Sequence, residues 1–413
     1  MFVQRTYRYR LYPTRRQAGA LAAQLRFACE LYNAALEQRR WAYRRCGKSV
    51  GYHAQSAELT ELRRQAPGLC PPEGMNCWSA QEVLRRLDRA FAAFFRRVKR
   101  GEKAGYPRFR SARRFDTLAW TMKGHAGGVA VTEEGRLRLQ GVGCLKVKWH
   151  RSVPTEATLG EVRVTRRGSG PRARFYVSIC AELPDPPSRP ATGQAVGIDL
   201  GVRRLVSLST GEQLEGPRAE REASSAVRRA ARRVARRKRG SQRRRKAAAL
   251  LARRREREAN RRRDSAHKLS RTLVERFDLI AVESLRVANM MRSARGTVAE
   301  PATNVAQKRS LNRAIADQSW AQMLSFLAYK AEEAGRRVVK VDPANTSRTC
   351  SACGAVDARS RSAKRFRCIA CGRADDADVN AANVILARAL AQEGIERPGR
   401  GRQAQTAALA AVA

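Results

Sequence analysis

The chain has 413 residues, enough for two or three domains with a sizeable core. Its 84 Lys and Arg residues exceed its 37 Asp and Glu residues by 47 positive charges, which would repel one another without a polyanionic partner such as nucleic acid. A hydrophobic content of 43% excludes wholesale disorder. No apolar run approaches the ~20 residues of a membrane-spanning helix and no signal-peptide core is apparent, so we expect a cytoplasmic protein without membrane association.

The first half of the chain begins with a predicted strand and ends in a predicted sheet. The first ten residues alternate in polarity, which indicates a half-exposed basic strand that includes Arg8 and Arg10. Between residues 116 and 183, short alternating segments are separated by glycines, as is typical of an antiparallel sheet or a small β-barrel. The N-terminal strand can join that sheet, which would make the segment between them an insertion.

The insertion is predicted to be helical. Thr14 is the expected N-cap of a first helix, because apolar residues recur at helical spacing from Ala18 to Tyr32. A further helix is predicted to start at Ser79 with a capping box completed by Glu82. A loop rich in proline and glycine, residues 67–74, lies between the two.

The second half alternates strands with helices. After a proline-rich linker at 184–193, the pattern predicts a strand from Ala195, a hairpin, long basic helices, a strand at 278–285, a helix at 318–334, a strand at 336–342 and a final helix. This order fits a ribonuclease-H-like α/β fold. The last ~20 residues lack an apolar stripe and are expected to form a loosely ordered tail.

Three acids stand where a nuclease would place them. Asp199 and Glu283 end two apolar strands, and Asp378 opens the final helix. A lone acid at a strand end is most often solvated or a cap, but three such acids can converge on one point and hold two Mg²⁺ ions for phosphodiester hydrolysis. Asp375 and Asp376 remain alternatives for the third position. Glycines 197 and 201 flank Asp199 and are expected to let metal or substrate approach the backbone.

Four cysteines form two C-x2-C pairs near the C-terminus: Cys350 with Cys353, and Cys368 with Cys371. This spacing predicts a tetrahedral Zn²⁺ site, and four thiolates leave no open position for catalysis, so the zinc is expected to be structural. A redox-active dithiol is the alternative, although it would not require two pairs.

Residues 218–263 contain 21 Arg and Lys but 4 Asp and Glu, so the predicted helices are positive on nearly every face. We expect them to bind nucleic-acid phosphates and to be unstable or splayed until they do so. The expected contacts in this region are Arg232, Arg236, Arg237, Arg243, Arg244, Arg261, Arg262, His267 and Lys268. His267 is equally open to a packing role.

A second candidate contact lies in the segment GYPRFR. Tyr106 and Phe109 stand among Arg108 and Arg110, so their rings could stack on bases, with burial in the core as the alternative.

Several motifs together resemble the TnpB proteins of insertion sequences and the related miniature type V CRISPR effectors. The motifs are GIDLGVRRLVSLS, DLIAVESL, NTSRTCSACG, FRCIACG and DADVNAANVILA, with YRYRLYPTRRQ and GYPRFRS nearer the N-terminus. The resemblance implies a RuvC-type nuclease with catalytic acids at Asp199, Glu283 and Asp378. It places Arg348, just before the first cysteine pair, near the active site.

The resemblance also implies a domain layout. A wedge β-barrel is expected at 1–12 and 101–186, a helical recognition insertion at 13–100, and a RuvC nuclease at 187–349 and 372–391 with basic helices at 218–275. A zinc ribbon that binds target nucleic acid is expected at 350–371, followed by a flexible tail at 392–413.

The same resemblance implies an RNA-guided enzyme, active as a monomer with its RNA. A guide RNA would pair with double-stranded target DNA next to a short flanking motif that the protein reads. Three alternatives remain: a DNA transposase that uses the same acids, a guide-dependent repressor that does not cleave, and a non-catalytic RNA-binding protein.

Overall fold

The structure, a computed structural model, describes residues 2–66, 75–123, 127–168, 173–184, 189–202, 204–215, 220–294, 296, 300–301 and 303–395. The chain divides into two compact units, Met1–Asp185 and Pro186–Ala413. Three predicted segments fall wholly or partly outside the described residues: the loop at 67–74, the linker at 185–188 and the tail from residue 396 onward.

The first unit combines a sheet with a group of helices. Its strands are β1 (Phe2–Tyr12), β2 (Thr117–Thr121), β3 (Val129–Val131), β4 (Leu137–Leu139), β5 (Gly143–Lys148), β6 (Thr158–Arg167) and β7 (Arg174–Pro184). Its helices are α1 (Arg15–Cys46), α2 (Tyr52–Gln65) and α3 (Cys77–Lys99).

The described strands of this unit form one sheet in the order β2-β6-β7-β1-β5-β4-β3. An isolated bridge between Thr121 and Gly128 connects the two ends of that order, so the sheet nearly closes into a barrel. The N-terminal strand joins this sheet, as predicted, and the structure places it between β7 and β5. Its side chains alternate as expected for a barrel wall, with Tyr7 and Tyr9 buried and Arg8 and Arg10 on the other side.

The helix starts were predicted in part. Thr14 caps α1 and forms a capping box with Gln17, which confirms the first prediction. The predicted capping box of the later helix is wrong, because α3 starts two residues earlier with Asn76 as its N-cap. The Ser79 hydroxyl instead donates to the Ala119 carbonyl. Glu82 forms ion pairs with Arg85 and Arg89 of the same helix.

The second unit contains the strands β8 (Ala195–Asp199), β9 (Val206–Leu208), β10 (Gln213–Leu214), β11 (Leu279–Glu283), β12 (Arg337–Val341), β13 (Arg361–Ser362), β14 (Arg365–Arg367) and β15 (Ala374–Asp376). Its helices are α4 (Glu220–Ala235), α5 (Gln242–Arg276), α6 (Val287–Met290), α7 (Val305–Gln318), α8 (Trp320–Glu333) and α9 (Ala377–Gln392). Helices α6 and α7 were not predicted. None of the helices in the described ranges is both long enough and apolar enough to cross a bilayer.

The main sheet of this unit has the strand order β10-β9-β8-β11-β12 within the described residues. Strands β8, β9 and β10 are antiparallel neighbours, whereas β11 and β12 run parallel to β8. An initial hairpin followed by parallel strands is the α/β order that the sequence predicted. Helix α9 packs on β8, β11 and β12, and buries Ile385 and Leu386 against Leu279 and Val341.

Candidate active site

Asp199 and Glu283 lie side by side at the carboxyl ends of neighbouring parallel strands. Ile198 of β8 pairs with Val282 of β11, so the next residue on each strand is one of the two acids. Adjacent strands are about 4.8 Å apart, which places the two backbones close together. Asp378 reaches the same edge from the first turn of α9.

Gly197 brings α9 against β8. A Cβ added at this glycine would lie 2.0 Å from the Ala382 carbonyl oxygen and 2.8 Å from the Leu386 nitrogen. Any side chain would therefore push the helix away from the strand, and Asp378 with it. Gly201 has a comparable role in the following turn, where a Cβ would lie 2.7 Å from the Arg204 carbonyl oxygen. The backbone contacts thus assign both glycines to close packing, whereas the sequence suggested substrate access.

Glu283 and Asp378 both act electrostatically on Asp199. Burial, followed by the negative charges of Glu283 and Asp378, raises the pKa of Asp199 to about 7, and the positive charge of Arg361 opposes that rise. Burial also raises the pKa of Glu283. The hydroxyl of Thr346, itself 4% exposed, donates to Glu283 Oε1 and counteracts the effect. The acids therefore form one electrostatically coupled cluster.

The two alternative acids have other partners. Asp376 is the N-cap of α9, and its Oδ1 accepts from the backbone nitrogens of Asp378 and Val379 at 3.0 and 3.3 Å. Its Oδ2 accepts from Arg204 at 3.1 Å. Asp375 pairs with Arg373 at 3.0 Å. These contacts favour Asp378 as the third member of the acid cluster.

Arg361 is a site residue that the sequence pattern did not single out. Its Nη2 donates to Asp378 Oδ1 at 3.1 Å, although it belongs to β13 between the cysteine pairs. Arg348, which the family resemblance pointed to, is exposed in the turn before Cys350. Only the strand topology could have indicated Arg361. Strand β13, which carries Arg361, pairs with β14, and β14 also pairs with β15, which leads directly into α9.

The acid cluster presents only oxygen donors, which suit hard divalent cations such as Mg²⁺. Its three carboxylates are more widely spaced than the four cysteines. Among the described residues, the cysteine quartet is the only set of three or more His, Cys, Asp or Glu side chains with all ligand atoms within 4.8 Å of one another.

The cysteine quartet has the dimensions of a zinc site. Cys350 Sγ lies 3.7 Å from Cys371 Sγ, and Cys353 Sγ lies 3.6 Å from Cys368 Sγ. Four sulfurs at about 2.3 Å from a central Zn²⁺ would be about 3.8 Å apart in a tetrahedron. The backbone N–H groups of Ala352 and Cys371 donate to Cys350 Sγ and Cys368 Sγ at 3.4 and 3.5 Å, as suits thiolate ligands. The four side chains therefore fit a structural Zn²⁺.

Helices α4 and α5 form an arginine hairpin, which turns at Gly240 in the left-handed region (φ 85°). Both helices are formed and packed together, which differs from the splayed state expected from their charge. Four half-buried arginines explain part of the difference, because their guanidinium groups bond to backbone carbonyls or to Asp317. They are Arg237, Arg244, Arg254 and Arg262.

The remaining predicted phosphate contacts of the hairpin differ in exposure. Arg232, Arg236, Arg243 and Arg261 are exposed. Lys268 is exposed as well and pairs with Asp264 at 2.8 Å. His267 stacks on Phe326, with ring centroids 3.8 Å apart, so the packing alternative describes its environment.

The first unit places two of its predicted contacts in a basic and aromatic surface on β1 and β7. The guanidinium groups of Arg8 and Arg10 lie 4.2 and 5.0 Å from the ring centroid of Tyr176. Tyr12, two residues after Arg10 on β1, is 49% exposed. Such a combination of flat cations and rings suits nucleic-acid phosphates and bases.

The GYPRFR segment is partly packed. Tyr106 makes edge contacts with Phe91 and Phe94 yet remains 45% exposed. Phe109 is 47% exposed and lies under the guanidinium of Arg40. The side chains of Arg108 and Arg110 are exposed, and the Arg110 backbone is bonded to Asn33. Both rings are therefore partly packed against neighbouring side chains and partly exposed to solvent.

Three family profiles match the chain. A profile described as a probable transposase covers residues 178–294, a Cas12f1-like TNB domain profile covers 320–385, and a helix-turn-helix domain profile covers 1–48. Over the last of these spans the structure has strand β1 followed by the single helix α1. The first two profiles together span all three acids and the cysteine quartet.

Known proteins are similar over most of the chain. A Streptomyces pristinaespiralis protein, whose name describes an RNA-guided DNA endonuclease, is 34% identical over 94% of this chain and 90% of its own length. InsQ of Escherichia coli K12, with the same description, is 31% identical over 74% of this chain and 73% of its own length.

The fold is shared with a solved CRISPR effector. The Cas12f1 chain from a complex with guide RNA and target DNA superposes with a TM-score of 0.54, covering 93% of this chain and 98% of that one at 14% identity. Full-length similarity at the sequence level and a shared fold point to the same group of proteins. This chain belongs to the TnpB family, which is related to the miniature type V CRISPR effectors.

Proposed function

We propose that this protein is an RNA-guided DNA endonuclease that hydrolyses phosphodiesters in a RuvC-type, Mg²⁺-dependent active site. The observation that carries the proposal is the meeting of Asp199, Glu283 and Asp378, from three remote parts of the chain, in one electrostatically coupled cluster. The relatives named as RNA-guided DNA endonucleases support the same activity.

The acid cluster would hold the divalent metal through carboxylate oxygens. Bound metal would supply Lewis-acid activation of water and stabilisation of the leaving oxygen. Thr346 orients Glu283, and the Arg361 guanidinium balances the charge of Asp378. The cysteine quartet would hold Zn²⁺ as a structural centre, because its thiolates occupy all four positions.

Guide RNA and target DNA would bind along the exposed basic surfaces. The proposed contacts are Arg232, Arg236, Arg243, Arg261 and Lys268 on the arginine hairpin, with Arg8, Arg10, Tyr106, Arg108, Phe109 and Arg110 in the first unit. Arginines along a helix contact phosphates and supply affinity without sequence reading, whereas base pairing with the guide supplies specificity. We further propose that one protein chain acts with one RNA.

Asp199→Ala tests the active site. The variant should lose target cleavage by roughly a thousandfold or more, while guided DNA binding stays near the wild-type level, because the acid serves chemistry. Cleavage assays and binding assays on the same RNA complex measure the two effects. Asp264→Ala, which removes an exposed acid of α5, is the control and should cleave normally. Loss of binding in Asp199→Ala would instead assign the residue a structural role.

Sequencing the RNA that copurifies with the protein tests the guide. Replacing the terminal segment of that RNA should redirect cleavage to DNA that matches the new segment.

A DNA transposase is the second candidate, favoured by the profile described as a probable transposase over residues 178–294. Joining of transposon ends by the protein without any RNA would establish that candidate in place of guided cleavage.

A further inference from the structure

Asn380 connects the cysteine quartet to α9, the helix that carries Asp378. It lies on α9 two residues after Asp378, and its side chain is fully buried. Its Oδ1 accepts from the backbone nitrogen of Ser351 at 3.0 Å, and its Nδ2 donates to the backbone carbonyl of Thr349 at 2.8 Å. Ser351 and Thr349 are the two neighbours of Cys350.

The side-chain amide of Asn380 holds this backbone through two hydrogen bonds, one accepted and one donated. One bond alone would allow the peptide segment to pivot, whereas a donor and an acceptor on the same planar group determine both its distance and its tilt. A buried amide that loses one of its partners is left with an unsatisfied polar group, so the native arrangement is strongly preferred over a displaced one. The backbone on either side of Cys350 is therefore held against the first turns of α9.

Two further contacts join the same region to the acids. Thr346, four residues before Cys350, donates to Glu283, and Arg361, between the cysteine pairs, donates to Asp378. Residues 346–361 thus contact the acid cluster through two side chains and contact the catalytic helix through Asn380. The segment 346–361, which carries the first cysteine pair, therefore holds two of the three acids through hydrogen bonds.

We propose that Asn380 is a positioning residue that ties the geometry of the cysteine quartet to Asp378 and so sets the affinity of the acid cluster for divalent metal. This inference rests on the proposed nuclease function. Outer partners that orient metal ligands typically contribute 10–100-fold in metal affinity or activity. Asn380 acts one step further out, through the helix that carries the ligand.

Asn380→Asp and Asn380→Ala provide the test. The Asp variant keeps the acceptor for Ser351 but places an oxygen against the Thr349 carbonyl, and the Ala variant removes both bonds. We expect the Mg²⁺ concentration for half-maximal cleavage to rise roughly tenfold or more. High Mg²⁺ should restore most of the rate, whereas Asp378→Ala should stay inactive at every concentration.

Asn383→Ala is the matched control. Asn383 lies one turn further along α9, where its Nδ2 donates to Val379 and more distantly to Ser209, away from the cysteine segment. Its Mg²⁺ dependence should equal that of the wild type. Zinc release to a colorimetric chelator gives a readout independent of cleavage, and it should be faster in both Asn380 variants than in Asn383→Ala.

Cleavage rates are normalised to the fraction of complex that binds target DNA, so that misfolded protein does not count. An unchanged half-saturating Mg²⁺ concentration in the Asn380 variants would overturn the inference. So would complete loss of binding-competent complex in both variants, which would make Asn380 a folding residue. Cleavage that persists in Asp199→Ala would instead refute the proposed function and is a separate result.

Discussion

Asp199 illustrates how a side chain that we propose for catalysis can oppose stability. Its pKa of about 7 arises from burial and from two neighbouring carboxylates, so the folded protein binds a proton that an unfolded chain would release near pH 4. Stability should therefore fall as the pH rises from about 4 to about 7, and the loss should be complete above that window. Metal binding at neutral pH must also displace this proton.

We predict that Asp199→Asn stabilises the metal-free protein at pH 8, raising its melting temperature and increasing its free energy of unfolding by up to about 4 kcal/mol. Below pH 4 the variant and the wild type should melt alike, because the carboxyl is protonated in both folded and unfolded chains. Thermal unfolding at a series of pH values without Mg²⁺ measures the difference. A gain that is the same at every pH would show that the charge of Asp199 is not its source.

At the residue scale, the grouping of the acids and of the cysteines was easier to predict than the side chains that contact them. The acids and the cysteines were visible because their residue types and spacing are specific to their chemistry. Arg361 and Asn380 were not, since an arginine in a basic segment and an asparagine in a helix are common. Their roles depend on the return of the ribbon strands β13 to β15 into α9, which no local pattern encodes.

Helix α9 owes its position to the absence of a side chain at Gly197. We predict that Gly197→Ala will lower the melting temperature and reduce cleavage by at least about tenfold, because a Cβ at 2.0 Å from the Ala382 carbonyl oxygen forces the helix and Asp378 outward. Thermal unfolding and cleavage assays measure both effects. Gly19→Ala, within α1 and with open space around the added Cβ, is the control and should not lose stability.

The arginine hairpin contains two classes of arginine that substitution should separate. Glutamine at the exposed residues Arg232, Arg236 and Arg243 should flatten the salt dependence of RNA binding, by roughly 0.7–0.9 in log–log slope for each phosphate that is no longer neutralised. Glutamine at the half-buried Arg244 should lower the melting temperature instead, because its guanidinium bonds to Val234 and Arg237. Equal effects of both substitutions on the salt slope would contradict this division.

At the element scale, strong periodicity predicted the structure and weak signals did not. Strands β1, β8 and β11 and helices α1 and α9 have clear apolar patterns and were found where expected. Helix α7 was missed because its buried face, within the described residues, is reduced to Ile315. The start of α3 was misplaced because Ser79 and Glu82 match a capping box in sequence while their side chains serve tertiary contacts.

The charge of the whole molecule leads to opposite salt effects on the protein and on its complex. We predict that moderate salt raises the melting temperature of the RNA-free protein, since screening weakens repulsion within a chain of net charge +47. The same salt should weaken RNA binding, because the release of counterions into a more concentrated salt solution is less favourable. Thermal unfolding and binding titrations between about 50 and 300 mM NaCl measure both. A fall in melting temperature would mean that local ion pairs outweigh the net repulsion.

For the molecule as a whole, composition predicted a basic protein of two or three domains, and the order of strands and helices predicted the α/β sheet of the second unit. The division into two units occurs between residues 185 and 186, within the proline-rich linker. The support of the acid cluster by the cysteine segment was not predictable, because it depends on tertiary contacts between residues 17 to 63 positions apart, such as Thr349 and Asn380 at 31.

Helix α5 has 35 residues and therefore extends for about 52 Å. Laid along a B-form duplex with 3.4 Å per step, such a length corresponds to about 15 base pairs, or one and a half helical turns. Because each phosphate strand winds around the duplex axis, the charges of a helix laid along that axis would meet a given strand only where the strand comes round again. If α5 binds a duplex in this way, its contacts would be spaced at intervals, and its footprint would follow the pitch of the nucleic acid.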